Sequence, residues 1–398
     1  MNASPLSAIV EEWGGLIQTG PFGSQLHQHD YSEEGIPVVM PKDIRNGRVD
    51  ESGIARIPEN KASQLSRHLL KAGSVVFPRR GEISKCAYIN EEQAGFLCGT
   101  GCIKIEPPEE RLRSKFLFYY LGLRHSIEWL ERNAVGTTML NLNTKILGGL
   151  KISLLPTKKQ DEIVDVLSAY DDLIENNRRR IQLLEQAARL LYKEWFVRLR
   201  FPGHEHVKIV DGVPEGWERK PLREIADITM GQSPKSIYYN KDSKGLPFHQ
   251  GVTNFGIRFP SHETYCTELN RLADPSDILF SVRAPVGRIN ITPDKIVIGR
   301  GLAAIRSNRG QQNLLFYALK SHFFKEDMMG GGAIFAAITK KDLYGVELLQ
   351  APDRTAGMFM EHVLPIDLQI DNLQKAIGGL TQARDLLLPR LMNGEVAV

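Results

Sequence analysis

Apolar residues recur in unbroken steps of four and three along Ile163, Leu167, Tyr170, Ile174, Asn177, Ile181, Leu184, Ala188, Leu191 and Trp195, with Asn177 the one polar interruption. Such spacing is the a/d seam of a heptad repeat and predicts a long helix. Adding 196 to each position gives Phe359, Val363, Ile366, Ile370, Leu373, Ile377, Leu380, Arg384, Leu387 and Leu391, apolar everywhere except Arg384. One amphipathic stripe usually packs on its own domain, but two matching seams in one chain can bury each other. The expected pairing positions are Leu167, Ile174, Asn177, Ile181, Leu184 and Leu191 on the first helix, with Ile370, Leu373, Ile377, Leu380 and Leu387 on the second. A helix from Gln160 to Arg198 would reach roughly 58 Å at about 1.5 Å per residue, enough to hold two domains apart. Asn177 at a seam position can fix register at some cost in stability, although its counterpart is Leu373. Pro365 inside the second segment predicts a kink or break near Leu364, and Gly378 with Gly379 weakens the same helix.

The segments before the two helices also echo each other. "PLSAIVEE" from Pro5 answers "PLREIADI" from Pro221, and more weakly "GIPVVMPKDI" from Gly35 answers "GLPFHQGVTN" from Gly245. "GTGCIKI" from Gly99 answers "GRGLAAI" from Gly299, "FLFYYL" from Phe116 answers "LLFYAL" from Leu314, and Pro156 answers Pro352. The offset shrinks from 216 at Pro5 to 196 at Pro156 and then holds. The globular parts have therefore diverged in length while the helices have kept register, as a duplicated module on a fixed scaffold would.

At 398 residues the chain exceeds one ordinary core. Its 42% hydrophobic and 24% charged content is that of a globular protein. No apolar run approaches the roughly 20 residues that cross a bilayer, and the polar start of the chain has no signal-peptide core, so a cytoplasmic location is expected. Cys86, Cys98, Cys102 and Cys266 are too few and too irregularly spaced for a disulfide framework or a four-ligand zinc site, and read as buried or incidental thiols.

A net charge of +3 says little about partners, but the clustering of cations says more. "FPRRGEISK" places Arg79, Arg80 and Lys85 around Gly81, and "FSVRAPVGR" places Arg283 and Arg288 around Gly287. Each follows a short apolar strand-like run, so the cations fall on turns at a strand end. A cationic turn is usually only a solvated loop. Its recurrence in both halves points to phosphate or to guanine edges, which guanidinium groups bond in a bidentate fashion. "MPKDIRNGR" adds Lys42 and Arg45, "HQGVTNFGIRF" adds Gln250, Asn254 and Arg258, and Arg300 in "GRGLAAI" joins them. Amide and cationic side chains suit the major groove, although Asn, Asp and Gly are also ordinary turn formers. "NAVGTTMLNLN" and "GGGAIFAAIT", one before each helix, are small-residue loops that either admit a ligand's close approach or simply connect.

Catalytic motifs are absent from the sequence. There is no phosphate-binding G-x-x-x-x-G-K-[ST] loop, no H-E-x-x-H helix and no N-P-P-[YF] or D-P-P-Y tetrapeptide of the kind amino-methyltransferases share. "CGTGC" lacks the strand, turn and helix order of a nucleotide loop, and His204, Glu205 and His206 read as a solvated linker. A binding protein is expected, with any chemistry left to partners.

Taken together, the chain resembles the specificity subunits of type I restriction-modification systems over nearly its whole length. The resemblance rests on "GLIQTGPFGSQLH" from Gly15, on the long segment "LNLNTKILGGLKISLLPTKKQDEIVDVLSAYDDLIENNRRR" from Leu140 and its continuation to Phe196, on "VPEGWERKPLREIADI" from Val213, and on "LLLPRLMNGEVAV" near Val398. The family often has Glu-Gln after the junction proline, where this chain has Lys159 and Gln160, and the second junction, "APDRTAGMF", has neither. What the resemblance implies is a noncatalytic reader of double-stranded DNA. Each domain would read one half of a bipartite site, and paired helices would set the distance between the halves. Two methyltransferase subunits using S-adenosylmethionine would dock on the helices, and restriction subunits using ATP and magnesium would join them. The chain itself would carry no cofactor or metal and meet no membrane.

The expected fold is α+β: two tandem mixed α/β target-recognition domains separated by two long antiparallel coiled-coil helices, a pseudo-two-fold internal repeat. Its expected parts are recognition domains at 1–155 and 200–352, a spacer helix at 156–199 and a second helix at 353–398. Two alternatives differ in partner: a two-domain protein-binding scaffold, and the specificity factor of an orphan methyltransferase without a nuclease.

Overall fold

The computed structural model describes residues 3–136, 140–323 and 337–396. Residues 137–139 of "NAVGTTMLNLN" and all but the last three residues of "GGGAIFAAIT" lie outside the described residues.

Both long helices form. The central helix runs Thr157–Tyr192 and continues into a wider π-type turn, Lys193–Val197; the C-terminal helix runs Asp353–Met392. Along the central helix Leu167, Ile174, Ile181, Ala188 and Trp195, each seven residues apart, are buried. The intervening Tyr170, Asn177, Leu184 and Leu191 are half-buried, so one of the two seam positions is dry and the other lies at its margin. On the C-terminal helix Ile370, Leu373 and Ile377 are buried, while Leu380 and Leu387 are half-buried. The break expected at Pro365 does not occur, because the helix passes through it without interruption. Leu364 and Pro365 are exposed while Val363, Asp367 and Ile370 are buried on the opposite face, so the lost hydrogen bond falls on the solvent side and packing holds the rest.

The chain divides into two compact units, residues 1–176 with 376–398 and residues 177–375. Each long helix is thus shared between the units, where the sequence treated the helices as separate parts. The reason is packing. In the first unit Ile163 and Leu167 of the central helix and Leu391 and Met392 of the C-terminal helix enter one core with the domain's own Phe116 and Leu117. In the second, Ala188, Tyr192 and Trp195 share a core with Phe359, Val363 and Phe316. In each unit the beginning of one helix meets the end of the other, so the pairing is antiparallel.

In the first unit nine strands matter for the site: β1 (Leu16–Thr19), β2 (Ile36–Val39), β3 (Ile44–Arg45), β4 (Arg48–Val49), β5 (Ala55–Ile57), β6 (Val75–Pro78), β7 (Ala87–Tyr88), β8 (Leu97–Cys98) and β9 (Cys102–Glu106). One antiparallel sheet has the order β1-β9-β6-β7, a smaller sheet has β5-β2-β8 with β2 and β8 parallel, and β3 and β4 form a hairpin. Helix α1 (Ser114–Leu121) covers the first sheet with six buried residues.

The second unit repeats this plan with β10 (Ala226–Met230), β11 (Leu246–His249), β12 (Ile278–Ser281), β13 (Ile289–Ile291), β14 (Ile296–Ile298), β15 (Leu302–Ser307) and α2 (Gln312–Phe323). Its antiparallel sheet is β10-β15-β12-β13, the same order, and β11 pairs with β14 in parallel. β6 and β12 are buried on both faces, which explains why they read as continuous apolar runs rather than alternating ones.

At the first junction Gln160 is fully buried: its Oε1 accepts from the Arg113 amide at 2.8 Å, and its Nε2 donates to the carbonyls of Arg111 and Leu155. Ala356 takes the matching place in the second unit, and there Arg309 and Gln311 bond Asp353 instead. The departure noticed in the sequence is therefore a different latch. All four cysteines are buried thiols, and burial pushes Cys86 up to about 12.

Candidate nucleic-acid interface

Strand register brings four loops to one end of each sheet. In the first unit Thr19 at the end of β1 faces Ile103, and Pro78 at the end of β6 faces Cys102, so both strands finish where β9 begins. β2 finishes beside β8, Val39 opposite Cys98, and β8 leads straight into the Gly99–Gly101 turn before β9. The Gly20 amide donates to Cys102 O (2.9 Å), the Gly99 amide to Val39 O (2.9 Å) and the Arg79 amide to Gly101 O (2.7 Å). The second unit makes the same three bonds: Gly231 to Leu302 O (2.9 Å), Gly299 to His249 O (2.8 Å) and Val282 to Gly301 O (2.9 Å). The glycines are required by contact: a Cβ on Gly20 would lie 1.9 Å from Gly99 O, and one on Gly231 would lie 2.2 Å from Gly299 O. The "CGTGC" segment is thus a strand-crossing turn that holds these loops together.

Most of the expected contact residues fall at this end. Lys42 follows β2 and is exposed; Arg80 and Lys85 are exposed and Arg79 half-buried on the turn after β6, where Lys85 pairs with Glu82. In the second unit Arg283, Arg288 and Arg300 are exposed, and Arg288 is drawn to the end of β12 because its amide donates to Ser281 Oγ at 3.0 Å. Gln250 follows β11. Its Oε1 accepts from Ser233 Oγ at 2.8 Å, and that oxygen in turn accepts from the Arg300 amide at 3.2 Å. Asn254 is half-buried on the loop beyond. Ser233 was not read from the sequence; only its bond to Gln250 singles it out.

His249, one residue before Gln250, is 3% exposed, and burial lowers its pKa to about 4 with help from neighbouring His262. It is therefore neutral at pH 7 and holds His262 through a 2.8 Å nitrogen pair, while His262 reaches Asp294 at 3.1 Å.

Two expected contact residues are placed elsewhere. Arg45 sits on the β3–β4 hairpin, paired with Asp50 at 3.1 Å, and the hairpin tip turns toward β7, where the Tyr88 amide donates to Gly47 O. Tyr88 faces Val75 at the start of β6, the opposite end of that sheet from Pro78. Arg258 corrects the sequence reading more sharply. It is 3% exposed, its Nε donates to Glu185 at 2.5 Å, its Nη1 to Asp367 and its Nη2 to the Tyr317 hydroxyl at 2.6 Å. Burial opposes its charge, but the Glu185 hydrogen bond and the surrounding carboxylates outweigh burial and hold the guanidinium more firmly protonated than usual. A guanidinium buried in this way against two carboxylates and a hydroxyl is not presented to a base edge.

Replacing Arg79 and Arg80 together, or Arg283 and Arg288 together, by Ala should weaken DNA binding while changing stability by no more than about 0.5 kcal/mol per residue. If the pair meets phosphate, the salt slope should fall by about 2 and the loss should be uniform over sequences; if it reads guanine, discrimination at one base pair should relax by about 1–3 kcal/mol. Titrations at several salt concentrations check this, and unchanged affinity in both double variants would remove the turns from the interface.

The family described as "Type I restriction modification DNA specificity domain" matches residues 24–186. A putative type I restriction enzyme MjaX specificity subunit of Methanocaldococcus jannaschii is 30% identical over 375 residues, covering 92% of this chain and 88% of the relative. The MjaIX specificity subunit of the same organism is 26% identical, covering 100% and 90%. Among solved structures, the type I restriction-modification S subunit from M. genitalium superposes with a TM-score of 0.54 at 18% identity over 98% of this chain and 95% of that one, a likeness of fold.

Proposed function

We propose a function for a chain that belongs to the family of type I restriction enzyme specificity subunits: it is the DNA-recognition subunit that directs its partner subunits to a bipartite site, each domain reading one half. The observation that carries this reading is the repeat, in which the same four loops, rich in Arg, Lys and amide side chains, are held at the same end of both sheets by the same three backbone bonds. Cations at a loop tip supply the sequence-independent attraction to phosphate, and amide and guanidinium forks supply base selection.

The chain works with other restriction-modification subunits and with DNA. Two methyltransferase subunits, one per half-site, and further restriction subunits are the finer reading. Leu183, Leu190 and Val197 on the central helix, spaced by seven, are 64%, 54% and 54% exposed, an apolar stripe on an otherwise polar face that suits a partner helix. S-adenosylmethionine, ATP and magnesium then belong to those partners, the chain performs no chemistry itself, and the complex acts in the cytoplasm. No helix among the described residues is long and apolar enough to cross a membrane. The scaffold alternative would need neither the cationic turns nor their repetition.

Gel-shift selection on a random duplex pool tests the proposal. The isolated chain should bind weakly and with little selectivity, because its net charge is only +3 and much of protein–DNA affinity comes from phosphate neutralisation. Adding the modification subunit should enrich one split motif. No enriched motif in the complex, or an equally sharp motif from the chain alone, would contradict it.

A further inference from the structure

We propose that Arg258 is a positioning residue for base reading: it ties the loop that follows Gln250 to both long helices at once and thereby sets the base preference of the second domain. The inference rests on the reading of that domain as the reader of one half-site.

One guanidinium joins three parts of the second unit. Glu185 lies on the central helix, Asp367 on the C-terminal helix and Tyr317 on α2, and all three bond Arg258. The cluster is completed by Lys320 Nζ, 3.0 Å from Glu185, by Asn313 Nδ2, 2.5 Å from Asp367, and by the Tyr317 hydroxyl, which donates to Asp367 at 2.7 Å. Two cations face two carboxylates, so the cluster balances, and the guanidinium also lies over the Phe316 ring at 4.9 Å. The Arg258 backbone carries the loop with it: Ile291 N donates to Arg258 O at 2.8 Å, and Asn290 Nδ2 donates to Gly256 O at 3.1 Å. Eight residues back along that loop, Gln250 O accepts from Gly301 N in the turn that holds the candidate reading end. The loop is therefore fixed at the sheet end by backbone bonds and at the helix side by Arg258.

Packing alone does not explain the choice of residues. Buried ion pairs seldom stabilise more than apolar groups of the same volume, whereas a planar fork with three fixed acceptors has only one orientation. The first unit solves the same problem with other residues, which argues that the tie rather than the particular side chain is what is kept. Tyr119, equivalent to Tyr317, donates to Asp171, equivalent to Asp367, at 2.6 Å. There Asp171 is balanced by Arg384 of the C-terminal helix at 2.6 Å, and the β3–β4 hairpin, which follows Lys42 in the chain, sends Arg48 to Glu175 of the central helix at 2.6 Å. Arg384, the one charged residue in the second heptad seam, thus has a partner.

The test maps methylated sites made by the complex of this chain with its modification subunit, comparing wild type with Arg258→Met, Arg258→Lys, Tyr317→Phe and Arg48→Met, alongside melting temperatures. Arg258→Met should relax preference at one or more base pairs of one half-site by tenfold or more and leave the other half-site intact. Arg48→Met should relax the opposite half-site, several-fold, because its ion pair is more exposed. Tyr317→Phe, which removes one hydroxyl and keeps the ions, should show a smaller relaxation in the same half-site as Arg258→Met, and Arg258→Lys should fall between Met and wild type. A merely structural role would lower melting and methylation at both half-sites alike. That result, or unchanged preferences in Arg258→Met, overturns the inference while the wild-type bipartite site leaves the functional reading standing. A wild-type complex without a bipartite site overturns both.

Discussion

Phe359→Ala should destabilise the second unit by about 3–5 kcal/mol, or roughly 6–20 °C for a unit of this size. Phe359 is fully buried at the start of the C-terminal helix. Its ring lies 5.0 Å from Phe196, 5.8 Å from Trp195, 5.9 Å from Tyr192 and 6.2 Å from Tyr317, the first three of them edge-on contributions from the end of the central helix and its π-type turn. Phe196 passes the contact on to Trp217, and Trp217 to Phe201. Truncation leaves a cavity between the two helices and the domain, and each lost edge-to-face pair adds about 0.5–1.5 kcal/mol beyond the buried area. Leu183→Ala, at an exposed position of the central helix, should move stability by no more than about 0.5 kcal/mol. Chemical denaturation of the two variants checks the contrast. A Phe359→Ala loss below about 1 kcal/mol would mean that this aromatic cluster is not what fastens the domain to its helices.

The long helices were legible because a period of three and four is written directly into the order of side chains, and 196-residue register survived in both copies. Leu167, Ile174 and Ile181 lie on the buried face of the central helix. Leu184 and Leu191 are half-buried, because periodicity marks which face turns inward but not how far the neighbouring element covers it. Pro365 misled because a local rule about hydrogen bonds was outweighed by burial on the opposite face.

The geometry of the candidate interface was legible in part. The cationic turns sit at strand ends, as an apolar run followed by Arg and Gly suggests, but the meeting of four loops depends on pairings such as β2 with β8, far apart in sequence. Arg258 looked like a base reader because an Arg beside Asn and Phe in a loop has the right chemistry. Its carboxylate partner Asp367 lies 109 positions away, and no local pattern distinguishes a loop arginine aimed at a helix from one aimed at solvent. Only the repeat held a clue. Asp171 and Asp367 are equivalent under the same offset that matched the helices, so two acidic residues beside two seams could have been asked what they pair with.

Exchange of one whole unit should change one half-site and nothing else. The unit to exchange is residues 1–176 together with 376–398, not 1–155, since Gln160, Asp161, Asp171 and Glu175 of the central helix and Arg384 of the C-terminal helix all bond within that unit. A transplant that cut at 155 would separate Arg113 from Asp161 and Tyr119 from Asp171, and the graft would sit on mismatched anchors. With the anchors carried along, the grafted unit keeps its own loop geometry and the resident unit keeps its own. Mapping methylated adenines in genomic DNA, for the parent, the relative and the chimera, each with the modification subunit, reads both halves at once. Two independent readers predict a chimeric motif made of the relative's first half-site joined to this chain's second half-site, with the second unchanged to the base. A chimera in which both half-sites change, or in which neither does, would contradict the account of one reader in each unit.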